Sequence, residues 1–351
     1  MTSMHDNRPA VCEPFGSKED TARMAEMITG YEVSQIVSVA AAHSLPEFMS
    51  DGPVAAEDIA AAKSLNADAT FRFMRACASI GLMTHDTRTD MFTATSLLRT
   101  LSKANPQSLG SRAQVYTLEP FWLAFGRFSE SLGTGRPQAM DAAGCNLWTY
   151  LEKRPEKQAI FADAMKGFAP SFGADAIQLV DTSSVSTVVD VGGASGGFVH
   201  ALMQQNPSLR GMVFDLPFVV PLAEESARIH GLKDRFSTIS GDFLSDDLPS
   251  ADLFLLRSIL HDWDDDSCLT ILRNCRTSIN AGGRLIIAEV LVGTRGDSGP
   301  GPLLDLLMMV GLGGKERSAE QYATLLAASG FRMTSVLPTS TEFSLIKAEP
   351  V

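Results

Sequence analysis

The feature that most constrains the fold is an alternation of strand-like and helix-like segments that begins near residue 185. Four short runs are rich in aliphatic and β-branched residues, and they lie at 187–191, 211–215, 252–256 and 284–289. Helical patterns accompany them at 197–205, 219–230, 267–280 and 318–329. This order predicts a parallel sheet that helices cover on both faces. Ligands of such sheets bind at the carboxyl ends of the strands.

The N-terminal part of the chain follows a different pattern. Residues 19–49 have helical spacing of apolar side chains, and two shorter helical segments follow at 54–62 and 69–82. Residues 82–95 then read as a small hairpin, which completes a winged-helix pattern. A DNA-binding role is disfavoured because residues 1–103 carry nine basic against thirteen acidic side chains. A dimerisation or structural module is the preferred interpretation.

Composition narrows the functional classes further. The net charge of −12 argues against broad binding of nucleic acid, which depends on basic residues. Five scattered cysteines without a CxxC pair indicate reduced thiols in a cytoplasmic protein. We expect no signal peptide and no membrane span, because no apolar run is long enough. No cluster of His, Cys and Asp has metal-ligand spacing, so no metal is predicted.

A segment rich in aromatic residues connects the two patterns. Residues 106–175 read as helical, and most of their aromatic side chains are expected in the core, with some lining a flat apolar pocket. The aromatic residues are Phe121, Trp122, Phe125, Phe128, Trp148, Phe161, Phe168 and Phe172.

A glycine-rich turn, Asp190-Val-Gly-Gly-Ala-Ser-Gly-Gly197, follows the first strand of the alternating region. It is not a dinucleotide fingerprint, because Ala194 replaces a required glycine, and no Gly-Lys-Ser/Thr follows to make a P-loop. The next strands end at Asp215 and at Gly241-Asp-Phe243. Helix-capping acids could explain any one of these residues. The acids Asp190, Asp215 and Asp242 at three successive strand ends together favour a ligand that carries ribose hydroxyls.

These motifs resemble those of the class I S-adenosylmethionine-dependent O-methyltransferases, in the branch of plant caffeate-type and bacterial natural-product enzymes. Phe214-Asp-Leu-Pro217, Ile259-Leu-His-Asp-Trp263, Gly313-Gly-Lys-Glu-Arg317 and Ala328-Ser-Gly-Phe331 carry the resemblance, as do Asn274-Cys-Arg276 and Ala281–Leu285. It implies a winged-helix-like dimerisation domain over 1–105, a helical acceptor-pocket region over 106–175 and a Rossmann-like catalytic domain over 176–351. It also implies a homodimer.

The resemblance implies a role for each residue near the cofactor. Gly192 and its neighbours approach the methionine portion of the cofactor. Asp215 binds the ribose hydroxyls, and Asp242 with Phe243 surround the adenine. S-adenosylhomocysteine would be the product. The residues assigned to cofactor binding are Asp190, Gly192, Gly193, Asp215, Leu216, Asp242, Phe243 and Arg257.

His261 is the candidate general base, since it lies just beyond the strand at 252–256. Its neighbour Asp262 is expected to point elsewhere on a helix, and it is therefore a poor partner for the imidazole. The resemblance instead places Glu289 and Glu316 beside His261, where they would fix its tautomer. The acids at 264–266 are expected to form a helix N-terminus.

The predicted activity is methylation of a hydroxyl on an aromatic or polyketide-like small molecule. The resemblance places Phe161 and Met165 near the reacting methyl and the acceptor ring. The rest of the acceptor pocket is assigned to the segment 116–172 and to Asp262, Trp263, Met308 and Met309, with the loop 293–302 shaping it. An alternative is that the fold keeps the cofactor for decarboxylation, hydroxylation or a pericyclic step. A winged-helix regulator that senses a small ligand is a third and less favoured possibility.

Overall fold

The computed structural model describes residues 16–167, 174–293 and 301–351. The chain splits into two compact units, Met1–Asn105 and Pro106–Val351. Two of the predicted pocket aromatics, Phe168 and Phe172, lie outside the described residues. Most of the predicted pocket loop 293–302 lies outside them as well. No helix within the described ranges is long and apolar enough to cross a membrane.

The first unit contains the helices and the hairpin that the sequence predicts. Its helices are α1 (Lys18–Ile28), α2 (Gly30–Ala42), α3 (Leu45–Phe48), α4 (Ala56–Lys63), α5 (Ala67–Ser79) and α6 (Ser96–Arg99). The antiparallel hairpin joins β1 (Met83–Asp86) to β2 (Met91–Ala94). Capping fixes the helix starts: the Ser17 side chain accepts a hydrogen bond from the backbone N–H of Asp20, and Asn66 accepts one from Ala69. The winged-helix assignment itself stays a prediction.

A seven-stranded sheet forms the centre of the second unit, in the order β5-β4-β3-β6-β7-β9-β8. The strands are β3 (Thr187–Val191), β4 (Arg210–Asp215), β5 (Phe236–Ser240), β6 (Ala251–Arg257), β7 (Ile279–Val290), β8 (Phe331–Pro338) and β9 (Phe343–Pro350). The first five are parallel, but β9 runs antiparallel to both β7 and β8. The four predicted strands, β3, β4, β6 and β7, are parallel as expected. Strands β8 and β9 were not predicted, and the short connection between them permits only an antiparallel pair.

Helices cover both faces of this sheet, as predicted. They are α14 (Gly197–Gln205), α15 (Val220–Ile229), α16 (Asp265–Ser278), α17 (Gly301–Gly311) and α18 (Ala319–Ala328). Strand β6 shows why both faces need cover: Leu253 and Leu255 enter one core, while Phe254 and Leu256 enter the other. Two apolar cores therefore sandwich the strands and hold their carboxyl ends in register.

The segment that the sequence predicts to be helical, residues 106–175, consists of helices in the described part of the chain. Its helices are α7 (Gly110–Val115), α8 (Glu119–Phe125), α9 (Phe128–Thr134), α10 (Ala139–Ala143), α11 (Leu147–Glu152), α12 (Pro155–Gly167) and α13 (Ala174–Gln178). They build a third apolar cluster, in which Phe121, Leu147 and Leu151 are buried and Phe161 and Leu307 pack against them. The four cysteines in the described part of the chain are free, and the reduced state stays a prediction.

Candidate active site

A cavity of about 590 Å³ lies at the carboxyl ends of the parallel strands. Asp190, Asp215, Arg257 and Glu289 line it, and each stands at or beside the end of a different strand. Apolar side chains from α11, α12 and α17 line the rest. The cavity is therefore at the place where an open α/β sheet binds its ligands.

The glycine turn after β3 presents backbone to this cavity. Gly192 adopts a φ of +66°, and a side chain there would collide with Ile259. A Cβ on Gly193 would lie 2.7 Å from Cγ of Asp190, so neither position has room for a side chain. Ala194 adopts a φ of +50°, a conformation that a residue with a Cβ rarely takes. The turn is thus as tight as a glycine-rich loop despite the alanine.

Two buried acids stand beside the turn. Asp190 is 1% exposed, and its Oδ2 has no hydrogen-bond partner among the described residues. Burial raises its pKa to about 7, although Arg257 opposes the shift. Asp215 accepts hydrogen bonds from the backbone N–H of Ala194 at 2.9 Å and of Leu216 at 2.7 Å, while burial raises its pKa to about 6. Such acids suit a ligand that brings a positive charge or hydroxyl donors.

The remaining cofactor candidates surround the same end of the cavity. Asp242 is exposed at the rim and accepts a hydrogen bond from the N–H of Leu244 at 2.9 Å. Phe243 meets Trp263 edge to face, with 5.8 Å between the ring centroids. Burial lowers the pKa of Arg257, against the attraction of Asp190 and Glu289. All eight residues predicted to bind the cofactor line this cavity.

His261 lies on a single 3₁₀ turn, Leu260–Asp262, directly after β6. Its Nδ1 is 2.7 Å from Oε1 of Glu316 and 3.9 Å from Oε2 of Glu289. Its Nε2 is 3.3 Å from Oδ1 of Asp262. Burial disfavours the imidazolium, but the carboxylates of Glu289, Asp262 and Glu316 outweigh it and raise the pKa of His261 to about 10.

Asp262 corrects one prediction. We expected its side chain to point away from His261, as neighbouring residues do on a regular helix. The three-residue turn has no such regularity. The side chains of His261 and Asp262 face each other, so Asp262 is a partner of the imidazole. The acids that follow behave as predicted: the Asp264 side chain accepts the N–H of Ser267 at the start of α16.

Glu289 and Glu316 are fully buried at the side-chain level. Oε1 of Glu289 accepts the backbone N–H groups of Ile259 at 3.1 Å and Leu260 at 2.9 Å, and this fixes the turn that carries His261. Burial raises the pKa of Glu289 to about 7, opposed by His261. The backbone N–H of Glu316 donates to Oδ1 of Asp305 at 2.8 Å. The predicted convergence of His261 with both glutamates is present in the structure.

Two residues that support this arrangement were quoted in a motif but received no role. Arg317 has a fully buried side chain and donates to the carbonyl oxygens of Leu260 and Trp263, both at 2.8 Å. A Cβ on Gly314 would collide with the carbonyl of His261. The glycine pair before Lys-Glu-Arg was the available signal, because such pairs mark a close approach of backbones.

The acceptor side of the cavity agrees with the prediction except at one residue. Phe161, Met165, Trp263 and Met308 line it together with Asp262. Met309 does not, since it packs in a separate cluster around Ala124, Ala139 and Val310. Adjacent residues of a helix point about 100° apart, so the assignment of both methionines to the pocket was wrong for Met309.

One group in the described part of the chain has metal-binding geometry. Ligand atoms of His261, Glu289 and Glu316 lie within 4.8 Å of one another. The His261–Glu316 hydrogen bond already uses two of these atoms. The expectation that the protein needs no metal stays a prediction.

Two protein-family models match the chain. Residues 125–332 match the O-methyltransferase domain, and residues 25–104 match the O-methyltransferase dimerisation domain. The chain belongs to the O-methyltransferase family. Its fold is the Rossmann-like methyltransferase fold, and it is an S-adenosylmethionine-dependent enzyme, as the sequence predicts.

Several relatives of this O-methyltransferase cover more than nine tenths of its length. The phenazine O-methyltransferase PhzM of Lysobacter antibioticus is 34% identical over 99% of this chain and 100% of its own. The O-demethylpuromycin-O-methyltransferase of Streptomyces alboniger is 35% identical over 96% of this chain and 90% of its own. NcsB1, an O-methyltransferase from neocarzinostatin biosynthesis, was solved with S-adenosylmethionine and 2-hydroxy-5-methyl naphthoic acid. It has a TM-score of 0.81 and 28% identity, over 91% of this chain and 96% of NcsB1.

Proposed function

We propose that this enzyme methylates a hydroxyl group of an aromatic or polyketide-like small molecule, with His261 as the general base. The observation that carries the proposal is the 2.7 Å hydrogen bond from His261 Nδ1 to Glu316, in a cavity shared with the glycine turn. The names of the relatives support the acceptor class, because they refer to a phenazine and to O-demethylpuromycin.

The cofactor end of the cavity has the groups that S-adenosylmethionine needs. When bound, this cofactor supplies an electrophilic methyl group on a cationic sulfonium. Gly192 and Gly193 leave room for its methionine portion, and the unpartnered Oδ2 of Asp190 is a buried acceptor beside them. We assign Asp215 to the ribose hydroxyls with Leu216 packing nearby. Asp242 and Phe243 are assigned to the adenine. Arg257 is assigned to the cofactor end of the cavity.

His261 would take the acceptor's proton on Nε2, because Nδ1 is held by Glu316. An ordinary histidine has a pKa of about 6.5 and a phenol about 10, so complete transfer to it costs about 5 kcal/mol. The surrounding carboxylates raise the pKa of His261 to about 10, which removes most of this difference. Glu289, Glu316 and Asp262 thereby stabilise the imidazolium that forms as the oxygen–carbon bond is made.

The acceptor end supplies alignment. Phe161 and Met165 pack in the apolar cluster of α7, α8 and α11 and reach the cavity beside Trp148, which meets Phe161 edge to face at 6.0 Å. We propose that a planar ring is held between Phe161, Met165 and Met308, with its hydroxyl toward His261. Alignment of this kind can supply roughly 7–11 kcal/mol of barrier reduction.

The base assignment is tested by replacing His261 with Ala and with Asn and measuring turnover and S-adenosylhomocysteine binding separately. We expect turnover to fall by about 10²–10⁴-fold, while binding changes less than about three-fold. Turnover within a few-fold of the parent enzyme would exclude His261 as the base. Stoichiometric formation of S-adenosylhomocysteine distinguishes methyl transfer from a reaction that leaves the cofactor intact.

We also propose that the enzyme is a homodimer. Residues 25–104 match the family's dimerisation domain. In the first unit, Met24, Met27, Ile28 and Tyr31 are each more than half exposed, and no residue of α1 is buried in the described chain. An apolar helix face of this kind is expected to need a partner. Light scattering should give twice the chain mass, and Ile28→Asp should shift the mass toward the monomer. The cytoplasmic location stays a prediction.

A further inference from the structure

Apart from His261, whose pKa is raised to about 10, the charged side chains at the acceptor end of the cavity are acidic. This end is formed by α11, α12, α17 and the turn that carries His261. Asp262 lies inside it, and Glu152, the last residue of α11, lines it from an exposed position. Of the lining residues that the structure describes, Arg257 is the one lysine or arginine. Arg257 belongs to the cofactor end, where Asp190 and Glu289 attract it.

Asp262 is the acid that an acceptor must meet. Its side chain is 12% exposed, and its Oδ1 faces Nε2 of His261 at 3.3 Å. An acceptor whose hydroxyl reaches His261 therefore lies within a few ångströms of this carboxylate. The walls around it are apolar, since Phe161, Met165 and Met308 contribute them.

A carboxylate on the acceptor would be poorly accommodated in such a place. A buried charge is tolerated when a counter-ion or several hydrogen-bond donors compensate it. The described acceptor end offers no lysine or arginine for that purpose, and the His261 imidazolium already faces the carboxylates of Asp262, Glu289 and Glu316. Asp262 would therefore repel a second negative charge. NcsB1, by contrast, was solved in complex with a naphthoic acid.

We propose that the acceptor of this enzyme is a phenol without a carboxylate group, and that a basic amino substituent improves its binding. The inference rests on the proposed function, because it assumes that this cavity binds the acceptor. It separates acceptors of the puromycin or phenazine kind from hydroxylated aromatic acids. An amine would gain chiefly from Asp262, the carboxylate beside His261.

Three bicyclic probes that differ in one substituent test the proposal. They are 6-hydroxy-2-naphthoic acid, its carboxamide and 6-(aminomethyl)-2-naphthol. The full-length enzyme, saturated with S-adenosylhomocysteine, is titrated with each probe at pH 7.5 in a calorimeter. We expect the acid to bind at least ten-fold more weakly than the amide, and the amine to bind at least as tightly as the amide.

Two variants identify the origin of the effect. Asp262→Asn keeps the shape and removes the charge, so it should narrow the ratio between acid and amide by at least three-fold. Glu152→Gln changes an exposed charge at the rim and should alter that ratio by less than two-fold. Unchanged melting temperatures show that both variants are folded.

The possible outcomes distinguish a failure of the inferred acceptor preference from a failure of the proposed methyltransferase function. An acid that binds as tightly as the amide overturns the inference and leaves the methyltransferase assignment intact. Binding of none of the probes to the S-adenosylhomocysteine complex overturns the proposed acceptor class. Failure of S-adenosylhomocysteine itself to bind would instead refute the proposed function of the cavity.

Discussion

Arg317 holds together the two loops that carry the proposed catalytic pair. Its guanidinium donates to the carbonyls of Leu260 and Trp263, on either side of His261, at 2.8 Å each. It also donates to Oδ1 of Asp265 at 3.0 and 2.8 Å. Because Glu316 is the preceding residue, Arg317 fixes the distance between Glu316 and His261.

Replacing Arg317 with Met removes these donors and leaves the volume nearly unchanged. Loss of one partner of an ion pair costs about 3–5 kcal/mol when the charge left behind is buried. Asp265 is 51% exposed and can be solvated again, so the cost should lie at the lower end. The carbonyls of Leu260 and Trp263 also lose their guanidinium donor. We therefore expect the free energy of unfolding to fall by about 3 kcal/mol.

The matched control is Lys315→Met, which removes the other basic partner of the same acid. Lys315 Nζ lies 2.7 Å from Oδ2 of Asp265, but its side chain is 41% exposed, so the loss should stay below about 1 kcal/mol. Urea unfolding is followed by tryptophan fluorescence, since Trp122, Trp148 and Trp263 all lie in the second unit. Equal losses of unfolding free energy in the two variants would refute the proposal that Arg317 holds the two loops together. We also expect turnover to fall about ten-fold or more in Arg317→Met alone.

The remaining predictions concern single residues near the site. Gly314→Ala should lower turnover at least about ten-fold, because its Cβ collides with the His261 carbonyl, whereas Gly133→Ala, which meets open space, should leave turnover unchanged. Ala194→Gly should change the melting temperature by less than about 2 °C, because relief of the positive φ, about 1–2 kcal/mol, is largely offset by greater freedom of the unfolded chain; a calorimetric shift beyond 5 °C would contradict this reasoning. Burial lowers the pKa of His200 to about 4, so the unfolded chain takes up a proton first as pH falls below about 6.5; stability should decrease between pH 6.5 and 4 by up to about 3 kcal/mol, and denaturant unfolding of His200→Gln should show a flatter pH profile. Turnover should rise with pH from 6 to 9, because His261, with its pKa raised to about 10, must be deprotonated to act as a base; a flat pH–rate profile would count against it.

The sequence predicts the parallel part of the fold well, because buried strands must be continuously apolar. Strand β3 matches the predicted bounds, and the predicted runs 252–256 and 284–289 lie within β6 and β7. Strand β5, Phe-Ser-Thr-Ile-Ser, was predicted only from the motif at 241–243 that follows it. Its own pattern gave no bounds, since it is an edge strand with two of five residues apolar and none of them buried. Strands β8 and β9 were missed because their antiparallel pairing depends on a return of the chain that local patterns do not encode.

The site was predictable only in part from local sequence. His261 and Asp190 stand next to strand ends, where the fold class already places ligands. Glu289 and Glu316 were found through the family resemblance. They follow His261 by 28 and 55 positions, and such spacings alone do not predict a contact. The contact between Asp262 and His261 was missed because it depends on a 3₁₀ turn instead of a regular helix.

The geometry around His261 links base strength to acceptor choice. Three carboxylates surround one imidazole, at 2.7, 3.3 and 3.9 Å. This excess of negative charge makes His261 as basic as a phenolate, and the same charge disfavours any acceptor that brings another anion. Glu289 and Glu316 lie behind the ring on the Nδ1 side, whereas Asp262 lies on the Nε2 side that an acceptor approaches. A change at Asp262 therefore affects both properties together, whereas a change at Glu316 acts mainly on the base.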